Sequence, residues 1–365
     1  MKQGRPPYYI NGAGVISPQQ TYCDRFFLTE ISEYSDNRLN CVLPDFKEFM
    51  NPFQTRRLSR TLKTGLASVM ICLRNSGVKA PDAVITATGF GFYESRAKFL
   101  AEILTQNEQQ LTPNYFIQST HNALAGLVAL TIGCTGYNNT YAGRGSAFEN
   151  ALLDATMLID EGEAQNVLVG SFDEISETLF RQYARLGYMR KAPVNSLRLF
   201  DEELPGTIHG EGVAFFMVTT ERKRRTMCSL RGMKTLYKPQ SYGELAAALD
   251  AFLEENGLDA QDIDVFVNGA SGDAARDAWN HGLRRDRLEH AAEARFKHLT
   301  GEYATASSFA LWMGAMILRR QHIPEAALFK PARRPERMET VLVCNHFLGD
   351  YYSFMILDRV TPMMP

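Results

Sequence analysis

Apolar residues recur along this chain in two rhythms, short buried runs and stripes at helical spacing. Tyr8 to Ile16 reads as a strand that stops at Ser17-Pro18. Residues 55–76 predict a helix, because Leu58, Leu62, Leu66, Val69 and Leu73 share one face and Gly77 follows as a stop. Ala83 to Thr88 is a short buried strand, and Ser95 to Thr105 and Asn122 to Ile132 are helices. A helix over Gly145 to Glu161 presents Phe148, Leu152, Ala155 and Ile159 on one side. Val167 to Gly170 and Val213 to Thr219 complete a first set of strands.

The basic run Arg222-Lys-Arg-Arg225 marks a break. A second set follows: strand 228–237, helix 242–256, strand Val265 to Asn268, helices 273–295 and 304–320, and strands Val341 to Cys344 and Tyr352 to Leu357. Strands alternating with helices predict an α/β sheet covered on both faces. Two sets of similar size predict two fused halves, 1–225 and 226–365, although no sequence repeat links them. No low-complexity stretch or Pro/Gly/Ser-rich linker interrupts either set.

Composition narrows the function more than the fold. The chain has 365 residues, 45 % hydrophobic and 22 % charged, which suits a globular protein with a large core. A net charge of −2 gives no electrostatic reason to expect nucleic acid or a membrane surface as partner. No apolar run approaches the length of a signal peptide core or a membrane span, so a cytoplasmic location is expected. The six cysteines are scattered without metal-ligand spacing and read as small hydrophobes, Cys134 included. Nothing calls for a metal or cofactor: H-E-x-x-H, G-x-S-x-G, G-x-G-x-x-G and the Walker A motif are all missing. Ser76-Gly-Val-Lys79 fits S-x-x-K, but it lies at a helix end and reads as chance.

Asn139-Thr-Tyr-Ala-Gly-Arg-Gly145 reads as a strand-to-helix turn, a place where a helix N-terminus favours negative charge. It resembles the nucleophile turn of the β-ketoacyl synthases, Thr-Ala-Cys-Ala-Ser-Gly. Further pieces follow in order: Ile10 to Pro18, Arg56-Arg-Leu-Ser-Arg60, Arg198-Leu-Phe-Asp201 with Gly210-Glu-Gly-Val-Ala214, Lys297-x-x-x-Gly301 with Ala304 to Ser308, and Asn345-His-Phe347. The resemblance covers nearly the whole chain. It implies the thiolase-like fold, two similar βαβαβαββ halves in a layered α/β/α/β/α body.

The resemblance also implies what has changed. Ala142 falls on the nucleophilic cysteine and cannot hold a thioester. Ala270 falls on the first catalytic histidine and Glu302 on the second, while Lys297 is retained. A carboxylate repels the enolate charge that an imidazole would stabilise. The glycine-rich gating loop becomes Leu348-Gly-Asp-Tyr-Tyr352, bulky where the family is flexible. Lys297 and Glu302 are expected to pair, and Arg144 to find Glu302, Asp350 or a neighbouring subunit. His121 and His209 fall near active-site loops and read as structural hydrogen-bonders.

The expected role is a chain-length-factor-type partner of an active ketosynthase in fatty-acid, polyketide or polyene assembly, as a heterodimer or a homodimer, with acyl carrier protein as a further partner. Two alternatives stay open. One is an acyl-transfer or malonyl-decarboxylating enzyme using Lys297, Glu302 and Arg144; the other is a homodimeric acyl-binding protein. Candidate tunnel or interface residues are Tyr115, Phe116, Thr140, Tyr141, Arg144, Phe347 and Gly349. In the family, the strand before the nucleophile pairs with its twin across the dimer, which here is Asn138 to Tyr141.

Overall fold

Alternation of side chains decides which layer each strand builds. On the strand Asn166–Asp173, Val167 and Val169 join one apolar cluster, while Leu168 and Phe172 join another on the opposite face. The computed structural model describes residues 7–23, 26–329 and 335–361. Its main strands are β1 Tyr8–Ile16, β2 Ala83–Thr88, β3 Tyr137–Ala142, β4 Asn166–Asp173 and β5 Gly212–Thr219, then β6 Cys228–Tyr237, β7 Val265–Gly269, β8 Ala292–Arg295, β9 Thr340–Phe347 and β10 Tyr351–Asp358.

Across the sheet they run β8-β7-β9-β10-β6-β1-β5-β4-β2-β3. From the centre outward one side reads 1-5-4-2-3 and the other 6-10-9-7-8, the same order shifted by five. The directions repeat as well. β1–β5 and β5–β4 are antiparallel and β4–β2 and β2–β3 parallel, matched by β6–β10, β10–β9, β9–β7 and β7–β8. Among the described residues, the two half-sheets join where Tyr8, Tyr9 and Ile10 pair with Leu230, Ser229 and Cys228.

The main helices are α1 Arg60–Ser76, α2 Tyr93–Thr105, α3 Pro113–Ser119, α4 Ala123–Ile132, α5 Ala147–Asp160, α6 Glu177–Arg185, α7 Tyr242–Glu255, α8 Ala274–Asp286 and α9 Ser307–Arg320. α5 and α9 contribute to one core cluster with residues of both half-sheets and form the central layer. α9 is buried from Ser307 to Leu318, as an all-round apolar helix should be. α1 and α4 cover the outer face of the first half, and α7 and α8 that of the second. The expected five layers are present.

Several boundaries differ from the sequence reading, three of them with a clear local reason. The helix expected over 55–76 begins at Arg60, where the Ser59 hydroxyl accepts the Leu62 N–H, and Pro52–Thr55 is a separate turn. The helix expected over 273–295 ends at Asp286, and β8 follows it. Glu293 and Arg295 hid that strand, because they are buried polar residues that pair at 2.7 Å and mask the apolar run. The helix expected from 304 starts at Ser307.

Candidate functional site

Ala142 is the last residue of β3, in register with Thr88, and its side chain is exposed. The Gly143 N–H donates to the Thr88 carbonyl at 3.0 Å, after which the chain turns through Arg144, Gly145 and Ser146. α5 begins only at Ala147, two residues later than expected, and Ser146 makes no side-chain cap. Ala142 therefore lies outside the first helical turn, where the helix dipole has most of its effect. Gly145 has φ +52°, and a Cβ there would lie 2.4 Å from Cγ of Tyr351, so the turn needs glycine for both conformation and space.

The other site positions come from the second half, around the ends of β7 and β9. Ala270 is buried just past β7, its N–H donating to Oδ1 of Asn268 at 3.0 Å. The Lys297 Nζ donates to Oε2 of Glu302 at 2.8 Å and to the His346 carbonyl at 2.5 Å, with both charged side chains buried. This is the expected Lys297–Glu302 pair. Burial pushes the Glu302 carboxyl up, against the opposing pull of Lys297, and its Oε1 has no hydrogen-bond partner.

Asp277 and His346 were missed by the sequence reading. The His346 Nδ1 accepts the Gly349 N–H at 3.2 Å, which assigns the proton to Nε2, and Nε2 donates to Oδ1 of Asp277 at 2.9 Å. Asp277 also accepts from the N–H groups of Ser271 and Gly272, both at 2.7 Å, and from the Ser271 hydroxyl. Burial alone would raise the Asp277 carboxyl; the hydrogen bond from His346, with that from the Ser271 N–H and the charge of Lys297, outweighs it and holds it at about 2. The signal for His346 was visible, since it replaces the serine of the family's Asn-Ser-Phe. Nothing in the sequence marked Asp277.

His209 sits in a two-residue parallel pairing with Arg38, its Nδ1 3.1 Å from the Glu302 carbonyl. Burial pushes it down to about 4, so it is a neutral structural hydrogen-bonder, as expected. His121 lies against Gly91. Phe347 is buried and opposes Tyr351 across a three-residue hairpin turn in which Leu348 has φ +54° and Gly349 φ +74°. Tyr351 packs against Tyr237 with ring centres 4.8 Å apart, and Gly349 lies beside the Arg276 side chain. The counterpart of the gating loop is thus a closed hairpin anchored through His346.

Arg144 departs from two of its three expected partners. It pairs with neither Glu302 nor Asp350; its exposed guanidinium lies 5.9 Å from the centre of the Phe90 ring. Its charge acts on Tyr183 and Tyr351, which share an apolar cluster with Phe90 and Phe347. The remaining candidates face a different side. Thr140 shares a 2.8 Å hydrogen bond with Thr86, and Tyr141 is partly buried against the core. Tyr115 lies 5.9 Å from the Lys98 Nζ, and Phe116 is 57 % exposed with only Phe99 stacked against it. Ile117, Leu104 and Leu130 are exposed on the same group of helices, α2 to α4. Among the described residues β3 pairs with β2 alone, which leaves its outer edge open.

Among the described residues no helix is long and apolar enough to cross a membrane, and no cluster of three or more His, Cys, Asp or Glu could hold a metal. Residues 37–199 match the family model for the β-ketoacyl synthase N-terminal domain. A 3-oxoacyl-[acyl-carrier-protein] synthase 2 of Synechocystis sp. is 26 % identical over 133 residues, 35 % of this chain and 32 % of that protein. The matched stretch thus spans about a third of that relative. Solved structures agree over far more of the chain. The ishigamide ketosynthase/chain length factor superposes with a TM-score of 0.82 at 16 % identity over 98 % of this chain and 100 % of its own. A ketosynthase in complex with its chain length factor from Xenorhabdus doucetiae gives 0.76 at 16 % identity over 97 % and 98 %. A β-ketoacyl synthase from Burkholderia phymatum gives 0.75 at 15 % identity over 98 % and 100 %. The chain therefore has the thiolase-like fold of the condensing enzymes, and in sequence it resembles the β-ketoacyl synthases over its first half.

Proposed function

We propose that this chain is a catalytically degenerate β-ketoacyl synthase homologue that serves as the chain-length-factor-type partner of an active ketosynthase. The observation that carries the reading is Ala142 at the end of β3, where a condensing enzyme needs its thiolate. Support comes from the second half: Ala270 has no imidazole to offer, and Glu302 is held by Lys297 in a buried pair with no exposed face. The alternative catalytic set of Lys297, Glu302 and Arg144 gains no support, because Lys297 and Glu302 are sealed inside as a pair and Arg144 lies over Phe90 and pairs with neither. The two units of this role are residues 1–225 and 226–365, which meet through α5 and α9.

The same reading assigns the open β3 edge and the apolar side chains of α2 to α4 to a partner subunit. Carrier protein then reaches the pair through the active synthase. Co-expression of the tagged chain with a ketosynthase subunit, followed by size-exclusion chromatography, tests this. A stable one-to-one complex is expected. A chain that stays alone beside every ketosynthase tried, and turns over malonyl carrier protein by itself, contradicts it.

A further inference from the structure

The face next to the open edge carries one sign of charge. α5 exposes Asn150, Leu153 and Met157 at helical spacing, with Asp154 half-buried beside them. No lysine or arginine occurs in β3 or α5. Asp154 is fixed against the edge strand: the Tyr137 hydroxyl donates to its Oδ2 at 3.1 Å, and the Asn139 amide donates to that hydroxyl at 3.2 Å. Among the described residues no basic side chain pairs with Asp154.

Antiparallel pairing of two β3 edges places a two-fold axis perpendicular to the joined sheet. Both copies of α5 then lie side by side on one face. In a pair of identical chains this brings two Asp154 carboxylates into one seam as it loses water, with no lysine or arginine from either copy's β3 or α5, and like charges there oppose association.

Resting on the partner reading above, we infer that Asp154 selects the partner: the surface fits a different thiolase-fold subunit that presents a lysine or arginine at the seam, and disfavours a second copy of this chain. The apolar contacts supply adhesion, and the carboxylate decides identity.

The test needs only this protein. Wild type, Asp154→Asn and Asp154→Lys are purified, checked for equal thermal unfolding midpoints, and their association measured by sedimentation at low and high salt. The mixture of wild type with Asp154→Lys is expected to associate at least about tenfold more tightly than wild type with itself, with the difference shrinking at high salt. Asp154→Asn should self-associate more tightly than wild type. Equal self-association of wild type and mixture, or a preference indifferent to salt, overturns the charge rule while leaving the interface in place. No association in any combination, the asparagine variant included, removes the interface reading and this inference together.

Discussion

Two buried carboxylates in this molecule meet opposite fates. Glu302 has the Lys297 ammonium 2.8 Å away. Glu149, in the first turn of α5, has no counter-charge acting on it; the Ser307 and Ser353 hydroxyls and its own backbone N–H are what ease it, and among the described residues neither carboxylate oxygen completes a hydrogen bond. Burial accordingly pushes the Glu149 carboxyl above its ordinary value of 4.5. A carboxyl raised in the folded state costs stability as pH climbs from its unfolded value through its folded one. Glu149→Gln is therefore expected to raise the unfolding free energy at neutral pH by about 1–3 kcal/mol, with the gain fading towards pH 4. Urea unfolding at both pH values checks this; a loss at neutral pH contradicts it. Lys297 and Glu302 illustrate the reverse case, since removing either alone strands a buried charge.

At the scale of elements, the open edge and its neighbouring helices matter most. Phe116 stands out from α3 with more than half its surface free, which rules out ordinary core packing in this chain. If it lines the partner's acyl tunnel, Phe116→Ala in a reconstituted pair lengthens the acyl product without abolishing synthesis. Product mass spectrometry reads this directly, and an unchanged product from an intact pair removes Phe116 from the tunnel. Much of this layer was legible in the sequence. β1, β2 and β6 fall on the expected bounds, because uninterrupted apolar or alternating runs with turn residues at their ends leave little choice. β8 was not legible, since Glu293 and Arg295 are polar side chains satisfied by each other and by partners such as Asn268 that the sequence does not bring near. The Lys297–Glu302 pair could be read from its five-residue spacing, whereas Asp277 meets His346 from 69 positions away. The place of Arg144 over Phe90 was not legible, because Phe90 lies 54 positions earlier in the chain.

For the whole molecule, the repeated strand order says that one half is a topological copy of the other, although no sequence repeat survives. The ends of β3 and β9 bring the altered positions of both halves to one region, with Tyr351 of the second half packed on Gly145 of the first. A condensing enzyme needs that region open to a pantetheine arm and furnished with a thiolate. On the proposed reading, the hairpin after β9 narrows that region and Ala142 offers only a methyl group. The most direct measurement is intact mass of the reconstituted pair after incubation with acyl and malonyl carrier protein, with Ala142→Cys run alongside. The account predicts that acyl mass appears on the ketosynthase subunit alone, and that Ala142→Cys restores at most trace condensation. A stoichiometric acyl adduct on the wild-type chain would contradict it.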